Sequence, residues 1–389
     1  MEIREVNTPG RALEFLRLPV RLYQHEPRWI RPLDHEIQAV FDPKQNVYFT
    51  HGECVRWIAQ KDGRTVGRIA AFVDHKTATK NDQPTGGVGF FECEHDQLAA
   101  GALFDAAKNW LSSRKMEAMD GSINFGPRDK WWGILVDGFE FEPNYGMHYN
   151  FPYYKELFTG YGFEEYFKQY TYYRTVAGGI DTTIKERADR LAKTGKFRFV
   201  NIVDQPLDKV ANDFREVYNK AWANYQDVVS LTAADVKALL NRIKPIMDRR
   251  LIWFGYFRDT PIAFAIMLPE VNQIFKYFDG KLGLWEKLRF WWMLRQGVCN
   301  RMIGVAFGIV PRFQKKGVES AMIEAIAEMA YDRKKKFNYV DLEHNWVGDF
   351  NPQMMRVHEL MGGKIRKVHA TYRYLFDRTK EFKRAPEVN

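Results

Sequence analysis

Between residues 301 and 331 an apolar run, RMIGVAFGIV, gives way to PRFQKKGVES and then to AMIEAIAEMAY. The first stretch reads as a strand, the last as a helix, and the loop between them carries Gln314, Lys315, Lys316 and Gly317. That order can hold a pyrophosphate. Backbone N–H groups of the loop and the first helical turn point at the anion, glycine lets the chain approach it, and the lysines add positive charge. The next strand, FNYVDLEHN, puts Asp341 and Glu343 on one face, where a carboxylate can act as a general base. His344 and Asn345 end that strand and His358 follows on a helix, bringing a group that handles protons near neutral pH. No HExxH or facial-triad spacing links these residues, so no metal is expected.

Two insertions stand beside these motifs. Residues 127–149 hold Trp131, Trp132, Phe139, Phe141 and Tyr145, an aromatic content that argues against disorder. This loop is expected either to cap a cleft or to pack between domains. Residues 271–300 contain KLGLWEKLRFWWMLRQ, with Leu284, Leu288, Trp291, Trp292 and Arg295 on overlapping helical faces among Lys281, Lys287 and Arg289. Such a helix covers its own core or rests on an anionic membrane as a peripheral contact.

The elements that position these residues come in two sets. A length of 389 residues implies two domains. The hairpin-like VRWIAQKDGRTVGRIAAF recurs as LIWFGYFRDTPIAFAIML, and Trp57 matches Trp253. Phe15 and Tyr23 match Phe214 and Trp222, and Asn150-x-x-Tyr153 matches Asn351-x-x-Met354, all at an offset of about 200 residues. The chain is therefore expected to be a duplication, each copy running strand, helix, helix, hairpin, strand, helix, strand, helix, strand. Residues 1–178 form the first domain, 179–196 the linker, 197–378 the second domain and 379–389 the tail. Three isolated cysteines suit a reducing cytoplasm and exclude a disulfide scaffold or a Cys-rich zinc site. No apolar run approaches the ~20 residues of a membrane span, and MEIREVNTPG does not read as a signal peptide. A cytoplasmic location follows as the expectation. The net charge of +9 suits an anionic partner, but without a zinc-finger, RNP or basic-region pattern, nucleic acid is not expected.

The segment Val310-Pro311-Arg312-Phe313-Gln314-Lys315-Lys316-Gly317-Val318-Glu319 resembles motif A of the GNAT acyltransferase superfamily. The stretch from Asn351 through Met354, Val357, His358 and Glu359 to Gly362 is similar to the family's asparagine-led helix. The resemblance implies an α/β fold of two tandem GNAT-like domains, each a mixed, mostly antiparallel sheet flanked by helices. It implies acetyl-CoA or another acyl-CoA as co-substrate, no metal, and transfer of an acyl group, expected to be acetyl, to a small-molecule or peptide amine. The donor would meet Ile309, Val310, Gln314, Lys315, Lys316, Gly317, Val318, Ser320 and Asn351, with backbone amides of 301–310 polarising the thioester carbonyl. His358 stands where many members carry the tyrosine that protonates the departing thiolate, and Glu343 is the candidate base. Glu319 departs from the family's Gly or Ala and sets a carboxylate near the pyrophosphate. In the first half, Glu92, Glu94 and Asp96 replace the basic glycine loop, so that half is not expected to bind the donor. A longer acyl chain, an aminoacyl-tRNA donor as in Fem-type transferases, and a non-catalytic binding role are the alternatives.

Overall fold

The computed structural model describes residues 1–80, 83–221, 230–332 and 337–387; Trp222 and the end of the tail lie outside the described residues. The first half runs β1 (Glu2–Glu5), α1 (Pro9–Leu22), α2 (Asp34–Val40), β2 (Gly52–Lys61), β3 (Arg64–Asp74) and β4 (Thr85–Cys93). It continues with α3 (Gln97–Ser112), β5 (Ala118–Gly121), β6 (Ile134–Asp137), α4 (Tyr154–Tyr161) and β7 (Glu164–Thr175). After α5 (Thr182–Ala192) the same order returns as β8 (Phe197–Asn201), α6 (Leu207–Ala221), α7 (Ala233–Ile243), β9 (Ile252–Phe257) and β10 (Thr260–Pro269). Two extra helices follow, α8 (Asn272–Phe275) and α9 (Leu284–Arg295). The chain then closes with β11 (Arg301–Ile309), α10 (Val318–Tyr331), β12 (Asp341–Gly348), α11 (Pro352–Leu360) and β13 (Lys364–Leu375).

Both hairpins turn in two residues, Asp62-Gly63 and Arg258-Asp259, and Asp62, Gly63 and Arg258 all have positive φ, which suits the right-handed twist of the flanking strands. In each half one strand pair is parallel, β4 with β5 and β11 with β12, because a helix (α3 or α10) carries the chain back across the sheet. All other pairs are antiparallel, so the sheet is mixed and mostly antiparallel as expected.

The halves do not keep their own last strands. The order along the sheet is β1-β2-β3-β4-β5-β13-β7-β12-β11-β10-β9-β8, with β6 pairing on β13. Strand β13 lies against β5, β7 lies against β12, and the two exchanged strands pair with each other from Lys364↔Tyr173 to Arg373↔Glu164. One continuous thirteen-stranded sheet results. Ala370, Tyr372 and Tyr374 of β13 are buried in the first half's core with Leu103, Phe104 and Phe158. Within residues 179–196, helix α5 buries Ile184, Ala188 and Leu191 and packs along α10.

Candidate active site

Strands β11 and β12 pair only from Arg301↔Asp341 to Gly304↔His344 and then part. At the same level β11 shifts register against β10, so that Val305 has no partner on either neighbouring strand. A bulge of this kind re-aims the local backbone and interrupts the ladder there. Over the parting lies a cavity of about 440 Å³ between α10 and α11. Its walls are Ile323, Ile326, Ala327 and Ala330 of α10, and Met354 and Val357 of α11. Arg174 and Arg128 add polar points on the lining. Both come from the first half, Arg174 on the exchanged strand β7 and Arg128 on the insertion.

His344 and His358 meet on the lining of this cavity, their rings 4.5 Å apart edge to face, and His358 also stacks on Tyr172 of β7 at 4.9 Å. Gly304 makes room for the pair, since a Cβ there would lie 2.9 Å from His344 Nδ1. Burial lowers the His358 imidazole to about 4, and burial together with the adjacent His358 holds His344 well below its usual range. Both rings are therefore neutral near pH 7, and neither arrives with a proton to give. The Nε2 of His344 and the hydroxyl of Tyr172 are buried without hydrogen-bond partners among the described residues.

Glu343 does not join them. Its fully buried carboxylate meets Lys367 Nζ at 2.7 Å, Arg366 at 2.9 Å and Arg301 at 3.4 Å, and it accepts from Asn144 Nδ2 at 2.8 Å. Although burial pushes its pKa up, these cations outweigh that and hold it at about 2. A carboxylate so depressed and so fully engaged is a poor base, which corrects the role expected for it. Glu343 is instead a tie between the halves. Lys367 Nζ also donates to Asn144 Oδ1 and to the Glu142 carbonyl, and Tyr145 N–H donates to Glu270 Oε1. The insertion 127–149 is thus pinned against the second half, while its Trp131 is buried in the first.

The loop before α10 has the geometry of an anion site. Gly317 takes the left-handed conformation (φ 86°) that favours glycine and precedes the helix with no side chain capping it. Gln314 Nε2 braces the loop by donating to the Ile309 carbonyl at 3.0 Å. Lys315 and Lys316 are exposed, whereas Ile309, Val310, Val318 and Ser320 are buried. The Val310 N–H already donates to the Ile262 carbonyl at 2.9 Å, so it offers nothing to a ligand. Glu319 is in the first turn, and its Oε2 is buried without a hydrogen-bond partner. Asn351 caps α11 through Met354 N–H at 3.1 Å and faces the cavity. Residues 309–320 do not line the cavity, which begins one helical turn further along α10 at Ile323.

Sequence reasoning singled out His358 and the loop but not Tyr172, Arg174 or Arg128, which come from the other half. A buried tyrosine within the aromatic strand YTYYR gives no such signal. In the sequence His344 marks only the end of a strand.

No known family profile matches the chain. It is 27% identical over 383 residues to the bacterial ceramide synthase of Caulobacter vibrioides, covering 96% of this chain and 97% of that one. It is 24% identical over 362 residues to Protein YghO of Escherichia coli, covering 92% and 91%. Among solved structures, a tandem GNAT protein from the clavulanic acid biosynthesis pathway superposes with a TM-score of 0.53 at 10% identity, over 97% of this chain and 99% of that one. The glucosamine N-acetyltransferase region of a fungal multi-domain β-N-acetylglucosaminidase gives 0.53 at 10% identity, over 96% of this chain and 38% of that one. With the same order of strands and helices in both halves and a tandem GNAT protein superposing over 97% of its length, the chain has the tandem GNAT fold.

Proposed function

We propose that the protein transfers a long-chain acyl group from coenzyme A to the amine of a lipid-like amino alcohol. The observation that carries this reading is the cavity: about 440 Å³ of mainly aliphatic wall is far more than an acetyl group fills and falls in the usual size range of ligand sites. Each methylene buried in such a wall contributes about 0.8 kcal/mol, so the site favours a long chain over the acetyl group expected from motif A. The bacterial relative is a ceramide synthase over nearly its whole length, and a ceramide is an amide of a fatty acid with a long-chain amino alcohol.

The residues fit such a donor. The uncapped amides of Val318 and Glu319 at the start of α10, with Lys315 and Lys316 beside them, would meet its phosphates. Coenzyme A would supply the thioester: the amine would form the new amide bond as the carbon–sulfur bond breaks, and the proton lost by the amine would end on the departing coenzyme A sulfur. The Val305 amide at the bulge would polarise the carbonyl, and the neutral His358, supported by His344 and Tyr172, would take that proton. Glu319 weakens the phosphate site relative to a small residue by placing a carboxylate beside it.

Calorimetric titration with a panel from acetyl- to palmitoyl-CoA tests the reading, followed by turnover with sphinganine. Affinity should rise with chain length and the palmitoyl donor should be consumed. Equal affinity for acetyl and palmitoyl donors, or none for either, overturns it.

A further inference from the structure

Helix α9 leaves its apolar side in solvent. Leu284, Trp285, Leu288, Trp291 and Trp292 are 80%, 81%, 62%, 45% and 63% exposed. At about 100° per residue they occupy one arc of the helix, about a third of its circumference. The opposite side is the one that packs: Phe290 and Met293 are buried with Phe275, Phe278 and Leu33. The helix therefore already covers its own core with one face, and a second apolar face remains. Monomeric proteins seldom expose a contiguous set of this kind without a use for it.

The borders of the arc are cationic. Lys287 and Arg289 flank it, Arg295 lies within it, and Lys281 precedes the helix; all four are exposed and none is in an ion pair among the described residues. The helix's one acid, Glu286, is turned back to the helix start, where it accepts from Gly283 N–H at 2.9 Å. Tyr277, 51% exposed, extends the aromatic surface, with the Arg289 guanidinium 5.9 Å from its ring.

We propose that α9 is a membrane-docking helix that seats its tryptophan and leucine face in an anionic lipid surface. Three tryptophans at one level suit the headgroup zone, where an apolar ring body and a polar N–H are both satisfied. Flanking lysine and arginine side chains reach the lipid phosphates, and a helix with this distribution lies in the plane of the interface rather than crossing it. No helix of the described residues is long and apolar enough to cross a membrane. A second copy of the chain is the competing occupant, but cations on both borders of one face would oppose each other across a symmetric contact. The docking needs nothing from the acyl-transfer reading, since it rests on surface residues outside the cavity.

Co-sedimentation of the full chain with vesicles of phosphatidylcholine, alone or mixed with phosphatidylglycerol, tests it, with gel filtration alongside. The chain should bind the mixed vesicles and do so at least about tenfold less well to phosphatidylcholine alone. Trp285→Gln with Trp292→Gln should weaken binding at least about tenfold, and Lys287→Glu with Arg289→Glu should remove the preference for the anionic lipid. These side chains are exposed, so an unchanged melting curve establishes that the variants fold. Failure of the parent to bind mixed vesicles overturns the proposal, as does parental binding by the double tryptophan variant. A parent that elutes as a dimer and binds no vesicles, with a monomeric tryptophan variant, would give the face to a second copy and also overturn it.

Discussion

The same gap, between the helix of the parallel crossover and the helix that follows, is solid in one half and hollow in the other. Between α3 and α4, Phe91, Phe104 and Phe158 pack with ring centroids 4.8–5.3 Å apart, and Phe163 joins them at 4.9–5.0 Å. Between α10 and α11 the facing residues are Ala327, Ala330, Met354 and Val357, which leave the cavity. The helix starts differ in the same sense. Asp96 caps α3, its carboxylate accepting from Leu98 and Ala99 N–H while also bound to Lys61 at 2.9 Å. The first half has thus filled its anion site with its own side chain. Gly317 leaves the equivalent amides of α10 uncapped. Counting from Asn150 as from Asn351, the place of His358 is taken by the buried Leu157. Duplication supplied two equal frames, and side-chain volume and charge turned one into scaffold.

Exchanging the fillings tests this most severely. Phe104→Ala should cost about 3–5 kcal/mol of stability and create no second acyl-CoA site, because the first half lacks both the free amides and the histidine. The opposite change, Ala327→Phe, should leave acetyl-CoA binding intact while a palmitoyl donor loses roughly 3 kcal/mol, the equivalent of about four displaced methylenes. Denaturant melts and calorimetry read the two effects, and a second acyl-CoA equivalent bound by Phe104→Ala would break the comparison.

The histidine position comes next. The folded His358 titrates at about 4 against 6.5 for a free imidazole. Between those values the unfolded chain takes the proton first, so stability is complete above about pH 6.5 and falls as pH drops through 4. His358→Phe should remove on the order of 1–3 kcal/mol of that acid sensitivity. It should also lower turnover about a hundredfold with donor affinity almost unchanged, and an equal loss in both would make His358 a packing residue.

Gly317→Glu adds a strained left-handed residue and a repelling carboxylate, and should weaken donor binding at least about tenfold, some 1.4 kcal/mol. Its mirror, Asp96→Ala, should cost about 1 kcal/mol of stability by uncapping α3 and leave donor affinity where it was. Titration of both variants with one donor decides whether the second half alone holds the phosphates.

The duplication and the glycine loop were legible because both are written locally, in hairpin alternation and in Gln314 to Gly317. The cavity was not, because a void is defined by the side chains absent from several elements at once. Glu343 misled for a related reason: its alternation with Leu342 was visible, but Asn144, Arg301, Arg366 and Lys367 come from distant parts of the chain. The strand exchange left no mark, since YTYYR and TYRYLF pair equally well with either neighbour. The 271–300 insertion was legible as a helix, but not which of its two apolar faces would be covered.

That exchange also sets a timetable. The place beside β5 in the first half belongs to residues 364–375, so during synthesis that edge waits for about 250 further residues. At the usual rates of translation the interval is roughly twelve to fifty seconds. Throughout it, β5 presents open backbone groups and the aromatic core under Tyr372 and Tyr374 lacks one wall. The first half cannot finish on its own as it leaves the ribosome, and the whole sheet closes only when the chain is almost complete. A truncated product is therefore an incomplete sheet rather than a smaller domain, and quality control can recognise it by its bare edge.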